Sequence, residues 1–578
     1  MLVLLTLLIA GGAACVEVSV DPEPPYPPRD KDYSYPDEET VPPPWEDPED
    51  YPYVTITSPV NGTFTTAGSL TVTGTYSGPE LASLTLNGQA LPAVAGAFSG
   101  TIAVDPDDAV VPIQVTATTL EDEIVSADRV TVFTGQGQAA NSAVALSAAL
   151  GLENRGLKAI GSTLGGLLDG RNLADLIMPE IDTAKAGPID LTTAKLDGVE
   201  IVLQATADGL SVKLLATDLI LEATLLGLPV NITAEGLMLD ILADVTVDAD
   251  HQVVIAVVDS QSSIASLSLS GILDEVASYL VGLVLDLLIK SQVPSLLGDL
   301  INGLDLTITS TGFDLTLAPV AAGTTDRDFS LALGSLLTIT DPAAWNADFQ
   351  PEGFRATTSD PVTFPEKTPV TEKPYGVAIG LNDDVLNQLL YTVAATGVLD
   401  FEVTDPILRA EVFSVLFFSF ESIDPDLPLI LRLSPAAAPL LVTDSETHRM
   451  YLVLPAYTGR VMVDRGPALG GEWEAMSFTV DLWAPLALQY NEDGSFSLAL
   501  SDLMIDLNVV HNPVGQHNVD NMNRLFAEIF DSLLPDLLSG LTDMSISIPE
   551  ILGLDISIAD IAPFGPGEDY LGLFIDLQ

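Results

Sequence analysis

Few residues in this chain are spaced for catalysis. His511 and His517 stand at the two ends of the segment HNPVGQH, and Asn512, Asn518 and Asp520 lie close by in the sequence. This group suggests either a metal or acid–base site or a polar loop that caps the last helix. The spacing favours the loop, because a segment of this kind does not bring two imidazole rings to one helix face. The sequence also has no G-x-S-x-G segment, phosphate-binding loop or H-E-x-x-H segment. We therefore expect a protein that is not an enzyme and that uses no cofactor and no metal.

Cys15 is the only cysteine, and it directly follows the apolar run MLVLLTLLIAGGAA at residues 1–14. An apolar run that ends in small residues is typical of a signal peptide. With a thiol at the junction, the segment resembles the lipobox of bacterial lipoproteins. This resemblance implies that Cys15 carries a lipid anchor in the bacterial cell envelope, on an outer-membrane lipoprotein that faces the periplasm or the cell surface. The alternative is an ordinary cleaved signal with an incidental cysteine.

The charge balance excludes several classes of partner. The 578 residues include 20 Lys and Arg against 81 Asp and Glu, for a formal net charge of −61. A surface of this sign repels phosphate backbones and anionic bilayers, so we expect no nucleic acid as a partner. Hydrophobic residues make up 47% of the chain, and mean hydropathy is +0.38. After the N-terminus no apolar run is long enough to span a membrane, so this apolar content belongs to cores or cavities.

Composition divides the chain into five parts. Residues 15–53 are rich in proline, acid and tyrosine, which predicts a disordered stalk. Residues 54–136 contain short alternating strands such as VTITSP and SLTVTGTYSG; they resemble bacterial immunoglobulin-like modules and predict a β-sandwich. Residues 135–138 read as a short glycine hinge. Two larger apolar units follow, at 138–365 and 366–578.

Each large unit combines helical spacing with long alternating strands. Ser142 is positioned to cap a helix that ends near Met178, and a second helix is predicted from about Glu275 to Leu304. In the second unit, GVAIGL predicts a strand, and Asp383 or Asp384 caps the helix that follows. A last amphipathic helix is predicted from Val519 to Leu541. Each helix requires an apolar surface to lie on, either a curled sheet or a bound ligand.

This order of elements resembles the tubular lipid-binding superfamily typified by bactericidal/permeability-increasing protein. The segments that carry the likeness are GVAIGLNDDVLNQLLYTVAATGVLDFEV and SLLPDLLSGLTDMSISIPEILGLDISI. The resemblance implies an α+β fold with two tandem barrels, each a highly curved antiparallel sheet wrapped on long helices, preceded by the all-β immunoglobulin-like sandwich. It also implies an apolar slot for acyl chains between helix and sheet in each barrel.

From these features we expect a surface-tethered, non-catalytic lipid-binding or lipid-transfer protein. Its partners would be a lipid or another long-chain apolar ligand, and a membrane through the N-terminal anchor. The alternative is an exported adhesion or scaffold protein whose barrels are packed shut, and a hydrolase is the least favoured choice. The residues that we expect to line the slots are Leu215, Leu219, Leu225, Leu283, Val284, Leu287, Leu389, Leu452, Leu500, Phe526, Ile529 and Leu533.

Overall fold

Most of the described chain is β-structure. The structure, a computed structural model, describes residues 53–577 except for 79, 95, 107, 121–124, 179–188, 226, 271–273, 290–293, 296, 299–306, 311–312, 340–348, 350, 352, 357–361, 398, 405–428, 445–448, 465–470, 491–494, 501–503, 512–545, 548–555 and 566–567. Strands account for 65% of the described residues and helices for 14%. No described helix is long and apolar enough to cross a membrane.

Two small sheets form a sandwich at the start of the described chain. One sheet contains β1 (Tyr53–Ser58), β3 (Ser69–Ser77), β7 (Ala97–Ala103) and β6 (Ala93–Val94), in that order. The other contains β2 (Thr63–Thr65), β9 (Val125–Thr134), β8 (Val110–Thr119), β4 (Leu81–Leu86) and β5 (Gln89–Ala90). Alternate residues of β8 are buried, and Ile113, Val115 and Val132 have no exposed surface. The period-two pattern of the sequence therefore places one face of each sheet in a shared core.

A third sheet is built from unusually long strands, and we call it the long-strand sheet. Its strands are β12 (Ile189–Asp197), β13 (Glu200–Thr206), β14 (Gly209–Leu225), β15 (Leu228–Val247), β16 (Val253–Ser263) and β17 (Ser266–Ser270). The order is β12-β14-β15-β16, while β13 also pairs with β14 and β17 also pairs with β15. All of these pairs are antiparallel.

A central sheet joins the two halves of the remaining chain. Its order is β18 (Thr307–Ser310), β19 (Phe313–Thr324), β20 (Asp328–Ile339), β11 (Val144–Glu153), β22 (Val377–Asn382), β32 (Tyr570–Leu577) and β31 (Ile556–Phe564). Strands from residues 138–365 therefore meet strands from residues 366–578 at the β11–β22 pair, in one hydrogen-bonded layer.

The C-terminal sheet completes the described strands of the second half. It contains β23 (Phe401–Val403), β24 (Leu429–Pro435), β25 (Leu440–Asp444), β26 (Arg449–Asp464), β27 (Glu472–Tyr490), β28 (Ser495–Leu500), β29 (Met504–His511) and β30 (Ile546–Ser547). A separate two-stranded sheet pairs β10 (Gln136–Gln138) with β21 (Phe354–Ala356). The described helices are α1 (Asn154–Leu168), α2 (Ala174–Ile177), α3 (Asp274–Leu287) and α4 (Asp383–Ala395).

The predicted fold class of two tandem barrels wrapped on long helices is wrong. The sheets are open in the described part of the chain, and the helices are short beside strands of up to 20 residues. One continuous apolar core contains Leu219 and Val284 of the first half together with Leu389 and Leu452 of the second half. The two apolar units of the sequence suggested two separate interiors, but the central sheet joins them.

The predicted first helix is also too long. Residues 144–153 form β11, which pairs with β20 on one side and β22 on the other, and the helix begins only at Asn154. Small and apolar residues in this stretch fit a strand that is paired on both edges. The hydrogen bonds to β20 and β22 override the helical spacing of the sequence. The predicted helix from Val519 to Leu541 lies outside the described residues.

Candidate functional site

One face of the long-strand sheet is apolar along its whole length. On β15 the buried residues alternate with exposed or half-buried ones, so that Val230, Ile232, Leu237, Leu239 and Ile241 share one side. The opposite side of β15 carries mainly polar side chains such as Thr233, Glu235 and Asp240, together with the exposed Met238. We call the buried side the inner face, and it forms a large part of the main core.

The alternation changes phase at one point of this sheet. Ala216 lies opposite Leu237, and Asp218 lies opposite Glu235, so the register of β14 and β15 is the same on both sides of this point. Between the two pairs, Gly236 has a left-handed φ of 64°. Inner-face residues on β14 are consequently Leu214 and Ala216 before this point and Leu219 after it. Leu215 therefore lies on the outer face and is 38% exposed, which corrects the prediction that it lines the interior.

Helix α1 closes one end of the inner face tightly. A Cβ atom at Gly161 would lie 2.6 Å from the carbonyl oxygen of Ile201, and a Cβ atom at Gly156 would lie 2.1 Å from the carbonyl oxygen of Gly376. Only glycine allows backbones to approach this closely. An acyl chain therefore has no room between α1 and β13 at Gly161, or between α1 and the start of β22 at Gly156.

Helix α3 covers another part of the same core. Leu280, Val281 and Val284 are buried, while Leu283 and Leu287 are half-buried and pack against the core. The helix therefore presents apolar residues over more than the stripe that faces the sheet. Its half-buried residues form an apolar border to the main core.

The edge of the sheet that β16 and β17 form exposes some inner-face residues. We call Ile255, Val257, Leu267 and Leu269 on these two strands the open edge. Val257 lies opposite Ala243 on β15, and Leu267 lies opposite Ala234. Directly paired residues share a face of the sheet, so these side chains continue the buried inner face. Leu267 is nevertheless 38% exposed, and Ile255, Val257 and Leu269 are half-buried. The apolar interior thus reaches solvent along β16 and β17.

The edge strand is interrupted between β16 and β17. The Ala265 amide donates a hydrogen bond to the carbonyl oxygen of Glu235 (2.9 Å), and the pairing with β15 then continues through β17. On their free side, β16 and β17 pair with no strand of the described chain. Unpaired edge strands can bind further chains unless they are covered or bent away.

The cavity beneath α1 is too small to hold an acyl chain. The cavity between α1 and the long-strand sheet has a volume of about 20 Å³, which is close to the space one water requires. Its lining residues are Leu152, Leu157, Ile160, Leu203, Leu210, Val245, Leu297 and Phe329. A wider groove of about 370 Å³ lies on the surface, between residues 363–369 and the end of β31. Ligand pockets usually span about 300–1,000 Å³, so the small cavity is not a binding pocket.

The structure brings some of the predicted lining residues together in one core. Leu219, Val284, Leu389 and Leu452 are buried in it, and Leu283 and Leu287 border it. The side chains of Leu225 and Leu500 lie outside the described part of the structure, as do the residues Cys15, Phe526, Ile529 and Leu533. Contact of any of these residues with a lipid stays a prediction. Sequence reasoning missed the open edge because the exposure of a residue on an edge strand depends on which strands pair. The segment SSIASLSLSG does combine alternating Leu with a lack of charge.

Ionisable groups are buried away from the open edge, at the start of α4. Burial raises the pKa of Asp383 well above its usual value, nearby Asp384 and Asp569 raise it further, and Arg355 opposes them. The Asn387 and Gln388 side chains there bond to backbone groups of β25 and of residues 140–142.

Among the described residues, no three His, Cys, Asp or Glu side chains are placed to hold a metal ion. His511 ends β29, and His517 lies outside the described residues.

Comparison with protein families gives a match to the sandwich. The family model of glucodextranase domain B matches residues 52–136. No curated protein matches the chain. Among solved structures, a lipopolysaccharide binding protein is 14% identical with a TM-score of 0.42, covering 75% of this chain and 99% of its own. P47 of Clostridium botulinum E1 and P47 of Clostridium botulinum A2 are 11% and 10% identical, each with a TM-score of 0.24. Each of these two covers 76% of this chain, and 100% and 98% of its own chain respectively.

These comparisons correct the expected family. The matching family model describes a sandwich domain, and the described chain is mostly strand. The similarity to the three solved structures is too low to carry an argument. Assignment to the tubular lipid-binding superfamily was therefore wrong, and the family match is confined to residues 52–136.

Proposed function

We propose that the protein is a non-catalytic binder of long apolar chains, which lie along the open edge of the long-strand sheet. The observation that carries the proposal is the continuity of the inner face from the buried core to the exposed side chain of Leu267. A stretch of inner face that meets solvent is a surface that an apolar ligand can cover. Because the interior next to α1 is filled, we place the apolar ligand along the edge rather than in a deep slot.

The energetics favour exchange over permanent storage. Each CH₂ group moved from water to an apolar surface gains about 0.8 kcal/mol. A lipid leaves a bilayer rather than water, so most of this gain cancels. A preformed apolar edge instead lowers the free energy of the intermediate in which the acyl chain has left the bilayer.

Two leucines with equal exposure make a matched test. Leu267 and Leu215 are both 38% exposed, on the inner and outer faces of the same sheet. We expect Leu267→Asp to weaken the binding of a fluorescent long-chain monoacylglycerol at least about tenfold, which corresponds to about 1.4 kcal/mol. Leu215→Asp should bind as the wild type does. Equal affinities of all three proteins, or no binding by the wild type, would contradict the proposal.

We further propose that Cys15 anchors the protein in the bacterial cell envelope. Its support is the position of the single thiol directly after the apolar run. In cells that are fed a fatty-acid analogue, the wild type should incorporate label and Cys15→Ser should not. Equal labelling of the two proteins would show that the cysteine is not acylated.

An adhesion or scaffold role is the second candidate function. The observation that favours it is the small size of the cavity beneath α1, which is consistent with a filled interior. Organic extraction of the purified protein followed by mass spectrometry separates the two functions. A scaffold yields no lipid above the level of an unrelated acidic control protein, whereas the apolar-chain binder yields a defined lipid.

A further inference from the structure

The elements that form the open edge lack cationic side chains. Residues 214–289, which include β15, β16, β17 and α3, contain eleven Asp and Glu residues and no Lys or Arg. Residues 260–273, which include β17, contain no Asp, Glu, Lys or Arg. Proteins that bind phosphate or carboxylate groups usually present Arg, Lys or a helix N-terminus to them. The open edge is built from a segment with no such side chain.

Hydroxyl groups lie beside the apolar side chains of this edge. Ser260 and Ser262 are exposed, and they stand opposite the inner-face residues Ile241 and Leu239. Their side chains therefore occupy the inner face of the edge strand, in line with Val257. A serine hydroxyl both donates and accepts hydrogen bonds, which suits an alcohol better than an anion.

We infer that the open edge selects apolar chains whose polar head is uncharged and carries hydroxyl groups, such as an acylglycerol, and discriminates against anionic heads. This inference rests on the proposed function, because it concerns the ligand of the same edge. An anionic head would be repelled by nearby carboxylates such as that of Asp259, which lies next to Ser260 on the opposite face of β16, and no cation of the segment would neutralise the head. An uncharged alcohol escapes that repulsion and bonds to Ser260 and Ser262.

Two probes that differ by one phosphate test this inference. A monoacylglycerol and the lysophosphatidic acid with the same acyl chain are titrated against the purified full-length protein at physiological ionic strength. We expect the uncharged probe to bind at least about tenfold more tightly. Raising the salt concentration should narrow the difference by improving the affinity for the anionic probe, since salt screens the repulsion.

Neighbouring serines provide a gain-of-binding variant and its control. Ser262 lies on the inner face, whereas Ser263 lies opposite Met238 on the outer face, and both are exposed. Ser262→Lys should strengthen the binding of lysophosphatidic acid several-fold and leave the monoacylglycerol affinity within about twofold of the wild type. Ser263→Lys should have a smaller effect, because its ammonium group starts from the other face.

The outcomes distinguish the two proposals. If wild type binds both probes equally, or prefers the anionic one, the inference on the headgroup is overturned while the apolar-chain function stands. If wild type binds neither probe, the proposed function fails and this inference fails with it. Equal gains from Ser262→Lys and Ser263→Lys would also overturn the inference, since the head would then not lie on the inner face.

Discussion

Glu153 shows how one buried carboxylate makes the stability of this fold depend on pH. It ends β11 directly before α1, and its Oε1 atom lies 3.5 Å from Nε of Arg327. Burial raises the pKa of Glu153 to about 7, the ion pair with Arg327 opposes this rise, and nearby Asp328 adds to it. The folded protein therefore holds a proton that the unfolded chain releases near pH 4.5.

The first prediction concerns this proton. Between about pH 4.5 and pH 7 the folded state binds more protons than the unfolded state, so the contribution of Glu153 to stability falls as pH rises. We expect Glu153→Gln to flatten the dependence of melting temperature on pH across this window. Glu366→Gln is the control, because that side chain is 85% exposed near the same arginine. A wild-type slope in Glu153→Gln would show that another group titrates.

At the scale of elements, local signals predicted one strand–helix unit well. GVAIGL forms β22, the helix follows as α4, and Gly397 adopts a φ of 72° just after it. The capping residue differs, because the side chain of Asn382 accepts a hydrogen bond from the Asp384 amide (2.8 Å). Asn and Asp both serve as caps, so sequence alone does not choose between adjacent candidates.

Long-range pairing explains where sequence reasoning failed. β11 has apolar spacing that also suits a helix, and only its pairing with β20 and β22 identifies it as a strand. Leu215 and Leu219 lie on opposite faces because the alternation of buried residues along β14 changes phase between them, beside the left-handed Gly236 of β15, while the register of the pair stays the same. The position of such an irregularity depends on the partner strand, which a single segment of sequence does not reveal.

The second prediction compares two glycines of α1. Gly161 faces the backbone of β13, and a Cβ atom there would lie 2.6 Å from the Ile201 oxygen, whereas a Cβ atom at Gly166 would have no neighbour within 4 Å. Gly161→Ala should destabilise the protein by about 1–3 kcal/mol, because the helix must move off the sheet. Gly166→Ala should stabilise it by up to about 1 kcal/mol through helix propensity. Denaturant unfolding measures both, and equal effects would disprove the close contact.

At the scale of the whole molecule, the sandwich is attached to the C-terminal sheet rather than hinged. The buried Arg129 side chain on β9 bonds to the buried Asp481 carboxylate on β27, and it also lies 2.7 Å from Asp506. An apolar cluster beside this pair includes Phe133 of the sandwich and Val453 of the sheet.

The expected glycine hinge at residues 135–138 proved to be part of this attachment. Gln136–Gln138 form β10, which pairs with β21, and the Arg355 side chain donates to the Thr134 carbonyl oxygen (3.0 Å). Glycine and polar residues in this short segment suggested a flexible linker. Pairing with a strand more than 200 positions away cannot be inferred from the segment itself.

The third prediction tests whether the buried ion pair holds the sandwich in place. Arg129→Met leaves Asp481 buried beside a single backbone donor, the Ala456 amide. Removing one partner of a buried ion pair typically costs about 3–5 kcal/mol. We expect the variant to unfold in two calorimetric transitions, with the sandwich separating first, where the wild type shows one. Arg432→Met is the control, because Arg432 pairs with Glu402 and Glu472 on an exposed surface, where such pairs contribute about 0–1 kcal/mol. If Arg129→Met unfolds in one transition at the wild-type temperature, the apolar cluster alone is sufficient to hold the sandwich against the sheet.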